Sequence, residues 1–514
     1  MKRKELSSLY FLLVMIYATS VGIAQKNLKA IPEIGKTPRY CNPLPMETAP
    51  GGSASGDVTV IKDAGKYYMY CTGGGAWVSD DLLNWIYHKV ENVPIAPHVV
   101  KYKGSFYMCG NDCPVYKADN PLGPFVSVGD WKNTPGVEGG WNGAFDVDIF
   151  IDDNNEPYLY YPGRGVSGIF VVKLDPNDIT KFVGKPKHLF GFNPDHVWER
   201  YGEMNEYTDV AWIEGPWLQK YKGTYYLQYS ASGTQWKTYA EGYYTSKSPM
   251  GPYKYASNNP LLRKTEGLVT GPAHGCIVEG PDGNLWQFYT IVLSNPPGGR
   301  RIGMDRVIIN KNGYMSVEVT DTPQWAPNTI SYPARGNCGS IPLSINKMRA
   351  MNALSKVSSE QQGREAAYAV DNSSGTWWEP STKDSLPTLT IELSPATRFD
   401  VVQLFTIDAA RIMFKGAGRG FGRPASSAKP EPEIYQYKID ISMDGKTFLQ
   451  VLDQTKNSIS RNTIFEEIPS IKCRFIRLSI TKWPKTVPLG ILEFTVFGKP
   501  ADSLPAAVAI PKFK

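Results

Sequence analysis

The feature that most constrains the fold is a short aromatic strand that recurs five times between residues 57 and 317. Each copy follows a polar turn in which Gly or Asn tolerates positive φ, as hairpin turns require. The five copies lie at residues 67–70, 106–108, 158–161, 225–229 and 286–289. A phrase ending in Gly-Pro-aromatic also appears twice, at residues 118–125 and 246–253. The repeat indicates five similar β units.

Repeats of strands without helical periodicity are typical of a β-propeller, whose blades pack around a central channel. The composition agrees, because 48 Gly, 40 Pro and 12% aromatic residues favour many short strands over long helices. We therefore predict an all-β chain with a five-bladed propeller over residues 25–320. A generic array of β-sandwiches is the alternative.

The sequence opens with basic residues at 2–4, an apolar run at 9–16 and small residues before Gln25. This order is typical of a secretory signal peptide, here residues 1–24. We expect an exported protein, periplasmic or extracellular. No later stretch holds the roughly 18 apolar residues that a membrane span needs, so no span is expected.

Charge and cysteine usage exclude two classes of partner. A net charge of +6 over 514 residues is too small to predict nucleic-acid binding. Among the seven Cys only Cys109 and Cys113 lie close together, and no His neighbours them to complete a zinc set. They could form a local disulfide, but we expect a structural role for the cysteines.

After residue 317 the repeat stops, and strands of period-2 alternation follow at 389–393, 401–405, 437–441, 475–480 and 492–497. Such alternation predicts a β-sandwich with one buried face per sheet. We assign residues 321–344 to a linker or strap, 345–500 to the sandwich and 501–514 to a tail. The Gly- and Pro-rich insertion 415–432 is interpreted as a solvated loop, or else as a lip over the propeller.

Three acidic residues stand near the start of a predicted blade, where first strands converge on the channel: Asp57, Asp146 and Glu214. Glycoside hydrolysis needs one carboxylic acid to protonate the leaving oxygen and one carboxylate to activate water or attack. Strand-start carboxylates also act as caps, and Asp148 competes with Asp146. Three further acidic residues lie upstream of Glu214, namely Glu203, Glu206 and Asp209.

The phrases around these residues resemble glycoside hydrolase family 43, a family of inverting five-bladed propellers. The resemblance covers roughly residues 42–317, and its most specific match is 214–217, Glu-Gly-Pro-Trp. It implies Asp57 as general base, Asp146 as modulator of the acid's pKa and Glu214 as general acid. Val58 and Val147 stand where the family usually has Pro.

The same resemblance implies further site residues. His274 matches a histidine on the channel axis, where some relatives hold calcium or another cation; a buried core histidine is the alternative. Arg301 matches an arginine that contacts substrate, and Trp77 and Trp141 could stack on a sugar or simply pack. No cofactor is expected to be required.

The second region resembles the discoidin-like jelly-roll fold shared by carbohydrate-binding module family 32, over roughly residues 345–500. Its marks are 369–371 with 376–378, 442–446, and the ending 492–498. The Trp pair in this motif is normally part of the core, so the resemblance does not by itself imply sugar binding.

Taken together, these resemblances imply an exo-acting inverting hydrolase that releases terminal pentose or furanose units from oligo- or polysaccharides. We expect an α-L-arabinofuranosidase acting on side chains of plant-type polysaccharides. The alternatives are a β-xylosidase, a galactofuranosidase or galactosidase, and a non-catalytic glycan-binding propeller.

Overall fold

The computed structural model describes residues 37–50, 55–131, 145–293, 299–327, 336–345, 355–393, 404–416 and 431–500. Within these ranges the regular structure is almost entirely strand. The only helical elements described are short 3-10 turns at Gly165–Ser167, Val197–Glu199 and Ala366–Ala369. None of the described helices has the length or apolar character needed to cross a bilayer.

Strand β1 (Arg39–Tyr40) is followed by five four-stranded antiparallel sheets. The first sheet holds β2 (Gly56–Asp63), β3 (Lys66–Thr72), β4 (Ala76–Ser79) and β5 (Ile86–His88). The second holds β6 (Ile95–Tyr102), β7 (Ser105–Asn111), β8 (Val115–Ala118) and β9 (Val126–Gly129). The third holds β10 (Asp148–Ile151), β11 (Pro157–Pro162), β12 (Ile169–Asp175) and β13 (Asp178–Phe190).

The fourth sheet holds β14 (Ile213–Tyr221), β15 (Thr224–Ala231), β16 (Ala240–Ser246) and β17 (Lys254–Tyr255). The fifth holds β18 (Ala273–Glu279), β19 (Leu285–Val292), β20 (Arg300–Ile309) and β21 (Met315–Val317). In each sheet the strands lie in sequence order. The five predicted aromatic strands are therefore the second strands β3, β7, β11, β15 and β19.

The same backbone irregularity marks the start of every sheet. One residue there has positive φ, an uncommon conformation for any residue but Gly. The five residues, with φ between 44° and 55°, are Asp57, Ala96, Asp146, Gly215 and His274. In four of the sheets the ladder shifts register at this residue, as a β-bulge does. Three of these residues, Asp57, Asp146 and His274, lie close to one another.

The first strand of each sheet contacts the first strand of the next, and β18 contacts β2. Side chains two residues after the positive-φ position connect neighbouring sheets. His98 Nε2 accepts the Ile149 N–H at 3.1 Å, and Asp148 Oδ2 accepts the Leu218 N–H at 2.8 Å. Apolar packing links the fifth sheet to the first as well, with Trp85 and Phe288 ring centroids 5.9 Å apart.

The remaining strands begin with β22 (Gln324–Trp325), which pairs with β1. A four-stranded sheet contains β23 (Ile341–Pro342), β26 (Phe405–Phe414), β29 (Thr463–Cys473) and β31 (Ile491–Pro500). A five-stranded sheet contains β24 (Ser355–Val357), β25 (Thr388–Glu392), β27 (Gln436–Ser442), β28 (Leu449–Asp453) and β30 (Phe475–Lys482). Both sheets enclose one apolar core around Trp378, which is a sandwich arrangement.

The sandwich packs directly against the five sheets. The Arg39 guanidinium, fully buried, pairs with Asp408 at 3.0 Å and with Glu467 at 2.8 Å. Trp377 lies in an apolar cluster with Leu268 and Val269 of the fourth-to-fifth sheet connection. Strand β1 thus lies between the fifth sheet, where Tyr40 donates to Asp305, and the sandwich. No disulfide joins any two of the seven Cys, each of which lies within the described ranges.

Candidate active site

Asp57 is buried at the start of the first sheet, and its backbone N–H and both carboxylate oxygens have partners. Its N–H donates to Thr290 Oγ1 at 2.7 Å, and Thr72 Oγ1 donates to Oδ2 at 2.6 Å. Arg300 Nη1 lies 2.6 Å from Oδ1. Burial on its own raises the pKa of Asp57, but the charge of Arg300, then that of His274, outweighs it and the pKa lies below its usual value. Asp57 is therefore ionised at neutral pH.

Glu214, also buried, has the opposite behaviour. Burial raises its pKa to about 8, with the charge of Asp146 adding to the effect. The Tyr239 hydroxyl donates to Oε1 at 2.8 Å and opposes the shift without cancelling it. Glu214 is consequently protonated at neutral pH and can donate a proton.

Asp146 lies at the positive-φ position of the third sheet and is clamped by one amide. Its N–H donates to Asn111 Oδ1 at 2.6 Å, and Asn111 Nδ2 donates to Asp146 Oδ1 at 3.1 Å. Burial raises the pKa of Asp146, while the neighbouring His274 acts in the opposite direction. The clamp fixes the carboxylate close to Glu214, whose pKa it raises.

His274 joins the carboxylates at the same end of the sheets. Its ring Nδ1 lies 3.3 Å from Asp57 Oδ1 and 3.9 Å from Asp146 Oδ2. Its backbone N–H donates to Ser230 Oγ at 2.8 Å. A Cβ added to Gly215 would meet the His274 ring at 2.9 Å, and Gly215 has φ of 55°. Only glycine therefore lets the imidazole lie against the backbone that carries Glu214.

Asp146, Glu214 and His274 each offer one ligand atom, all within 4.8 Å of one another. This set fits calcium poorly, since calcium takes six to eight oxygen ligands and here one of three donors is a nitrogen. A cation would also compete with the proton on Glu214. These three residues therefore do not form a fitting calcium site.

The fold and these four residues can now be compared with known proteins. A family model described as "Glycosyl hydrolases family 43" matches residues 53–315, just over half of the chain. The chain belongs to glycosyl hydrolases family 43. The family predicted from the motifs is thereby confirmed.

Three curated relatives show the range of names within family 43. "Beta-D-galactofuranosidase xynD" of Aspergillus niger is 30% identical over 39% of this chain and 53% of that protein. "Arabinoxylan arabinofuranohydrolase" of Bacillus subtilis is 33% identical over 31% of this chain and 33% of that protein. "Xylan 1,3-beta-xylosidase" of a Vibrio species is 24% identical over 47% and 49%. The matches thus span about half or less of the relatives' length.

In this family 43 chain the arginine at the site is Arg300, not Arg301 as the sequence suggested. Successive side chains of a strand point to opposite faces, and Arg300 faces Asp57. Arg301 is directed elsewhere: its Nη1 donates to the Arg300 carbonyl, and its charge interacts with Glu433 of the sandwich. The motif located the right pair but could not fix the register.

Trp77 does not join the site. Trp77 is fully buried, its Nε1 donates to the Glu47 carbonyl at 2.8 Å, and its ring packs on Tyr87. It is a core residue, because its side chain is enclosed in an apolar cluster. No local sequence pattern indicates that residue 47 lies beside it. Trp141 lies outside the described residues.

The competing acidic residues lie away from the carboxylate cluster. Asp148 accepts a backbone N–H of the next sheet, and Glu203 pairs with Lys237 at 3.4 Å. Glu206 accepts the Met204 N–H at 2.9 Å and Asp209 is exposed. Tyr239 and Arg300 are the site residues that sequence reasoning missed; Tyr239 lies 25 residues from Glu214 in a connection that carries no motif.

Proposed function

We propose that this chain is an exo-acting, inverting glycoside hydrolase with Asp57 as general base and Glu214 as general acid. The observation that carries the proposal is the pair of buried carboxyls whose pKa values are displaced in opposite directions. Such separation is the mark of an acid and a base that work in one site at one pH.

In this mechanism Asp57, ionised by Arg300, removes a proton from the water that attacks the anomeric carbon. Glu214 donates its proton to the leaving oxygen on the other face of the sugar. Asp146 keeps that proton on Glu214 until it is needed, since its charge raises the acid's pKa. Attack and departure on opposite faces invert the anomeric configuration.

As substrate we propose terminal α-L-arabinofuranose on side chains of a plant-type polysaccharide. The two relatives at 30% identity or more carry names that refer to furanosides. A β-xylosidase is the second candidate, supported by the name of the third relative. A galactofuranosidase or galactosidase is a third.

We also propose that the five sheets are the blades of a closed propeller, which the β18 to β2 contact supports. The sandwich would be a discoidin-like domain of the carbohydrate-binding type, as its two sheets around Trp378 suggest. The divisions at 24, 320, 344 and 500, export from the cytoplasm, and the absence of a required cofactor belong to the same proposal.

Replacing Glu214 by Gln tests the acid. We expect Glu214→Gln to lose turnover of alkyl or sugar glycosides, whose leaving groups need protonation, while Glu279→Gln, at an exposed glutamate, retains it. Proton NMR of the first product formed from a panel of arabinosides, xylosides and galactofuranosides identifies the sugar and its anomer. Binding of these glycans without hydrolysis would favour the non-catalytic propeller instead.

A further inference from the structure

Two connections rise beside Glu214, and of their residues only Tyr239 has a role in the chemistry described above. One is residues 200–212, which leads into β14, and the other is residues 232–239, which joins β15 to β16. Because Glu214 pairs with Ser230 and Ala231 pairs with Ala240, the second connection leaves its sheet at the end where Glu214 lies. We call these two connections the acid-side wall.

The two connections of the acid-side wall contact each other directly. Thr238 Oγ1 donates to the Gly202 carbonyl at 2.7 Å, and Gln235 Nε2 donates to the Tyr201 hydroxyl. The Tyr201 and Trp236 rings meet edge to face, with centroids 5.6 Å apart and planes at 87°. These contacts hold the aromatic rings in a fixed arrangement.

The wall also contacts the catalytic groups from two sides. Tyr239, its last residue, donates to the Glu214 carboxyl, and Thr234 Oγ1 lies 3.4 Å from Arg300 Nη1. A general acid must lie beside the leaving oxygen of its substrate. A surface anchored to that acid is therefore adjacent to the leaving group and not to the terminal sugar on the other side of the cleaved bond.

Large apolar and aromatic side chains lie exposed on the wall. Tyr207 is 50% exposed and Met204 is 77% exposed, and the Tyr207 ring lies 6.1 Å from that of Tyr201. Aromatic faces of this kind pack on the C–H faces of sugar rings, while a hydroxyl at the ring's edge can still bond to water or a sugar.

The charge of the wall restricts what it can take. It carries three carboxylates, at Glu203, Glu206 and Asp209, against two cations, at Arg200 and Lys237. Arg263 donates to Asn205 of the wall and balances these charges, so the wall has no excess of cations with which to bind a carboxylated sugar. The fitting occupant is thus a neutral glycan chain.

We propose that the acid-side wall is the leaving-group subsite, where Tyr207, Trp236 and Tyr201 bind neutral sugars of the chain from which the terminal unit is removed. This inference rests on the proposed function, since it takes Glu214 to be the acid. It adds the residues that would make the enzyme prefer a glycan over a simple aryl glycoside.

The test compares two substrates with the same terminal sugar, a p-nitrophenyl glycoside and a neutral oligosaccharide of three or more units. We expect Trp236→Ala and Tyr207→Ala each to lower kcat/KM on the oligosaccharide about three- to tenfold more than on the aryl glycoside. Tyr314→Ala, at a tyrosine 42% exposed on the β20–β21 hairpin, should leave the ratio unchanged. Equal losses on both substrates, or no loss on either, would overturn the proposal.

A binding measurement separates this inference from the proposed function. Calorimetry of the oligosaccharide with Glu214→Gln should show weaker binding when Trp236→Ala or Tyr207→Ala is added, whether or not the wild type hydrolyses it. Unchanged binding would overturn the subsite. Failure of the wild type to hydrolyse any glycoside of the panel would instead contradict the proposed function alone.

Discussion

Glu214 and Asp148 are both buried carboxyls, and burial raises the pKa of each to about 8. Their surroundings differ. Asp148 accepts the Leu218 N–H and lies 3.6 Å from His98, whose own pKa burial lowers to about 4. Glu214 lies among Asp57, Asp146 and Arg300, whose charges also act on its pKa. A raised pKa therefore marks a reactive group only where charged partners of both signs share the site.

Residues of the site and residues that contact the next sheet occupy positions two apart on one repeated element. The positive-φ residues Asp57, Asp146 and His274 lie at the site, while His98 and Asp148, two residues after a positive-φ position, each contact the neighbouring sheet. Asp146 and Asp148 show both outcomes on a single short segment. The same backbone thus supplies a site and the contacts that hold the site together.

The largest expected effect comes from removing either half of the acid and base pair. Asp57→Asn should lower kcat/KM about 10²–10⁴-fold, the range in which general acid–base catalysis contributes. Asp148→Asn is the matched change in the second region and should stay close to the wild type. Steady-state kinetics on one aryl glycoside measures both. An equal loss in the two variants would contradict the distinction between Asp57 as a site residue and Asp148 as a contact between sheets.

The next effect concerns the buried ion pair of the site. Arg300→Met leaves Asp57 buried without its closest cation, and losing one partner of a buried pair costs about 3–5 kcal/mol of unfolding free energy. The pKa of Asp57 should also rise, so the acidic limb of the kcat/KM profile moves to higher pH. Arg301→Met should leave that limb in place; if it moved the limb and Arg300→Met did not, the assignment of the two arginines would be reversed.

A smaller effect, on the free energy of unfolding, is expected where Asp148 contacts the next sheet. Asp148→Ala leaves the buried Leu218 N–H without its acceptor, which costs about 1–3 kcal/mol, whereas Asp148→Asn keeps an acceptor oxygen. Urea unfolding of the two variants measures the difference. Equal stability of Asp148→Ala and the wild type would show that this contact does not hold the sheets.

The same residue gives a pH dependence with a definite sign. Because its pKa rises on folding to about 8, the folded state binds more protons than the unfolded state between about pH 4 and 8. The stabilisation is complete below the unfolded pKa and is lost as pH rises through the folded one. Asp148→Asn should flatten this part of the stability curve; an unchanged slope would assign it to other groups.

The smallest expected effects are shifts of the alkaline limb of the kcat/KM profile, which Glu214 sets, in opposite directions. Asp146→Asn removes a charge that raises the pKa of Glu214, so the alkaline limb should move to lower pH. Tyr239→Phe removes a hydrogen bond that lowers this pKa, so the limb should move to higher pH. Shifts in the same direction would show that the two side chains do not act on Glu214 as described.

The sequence was sufficient to predict the strand-rich repeat, the family, and a cluster of acidic residues. It could not separate Asp146 from Asp148, because residues two apart share a face of a strand and only the positive φ of Asp146 distinguishes them. Arg300 and Arg301 are adjacent, and their order depends on register. Tyr239 reaches Glu214 through a connection whose path is set by packing against residues 201–205, which no local pattern reveals.

The most direct test of the acid and base pair is the pH profile of kcat/KM on an aryl glycoside whose leaving group departs without protonation. For the wild type acting on glycosides that need protonation, we expect an alkaline limb near pH 8, set by Glu214. On the activated substrate the wild type and Glu214→Gln should both be active and both lack that limb, because departure of the leaving group does not need the acid. An alkaline limb that persists in Glu214→Gln at the same pH would contradict the assignment of Glu214 as the acid.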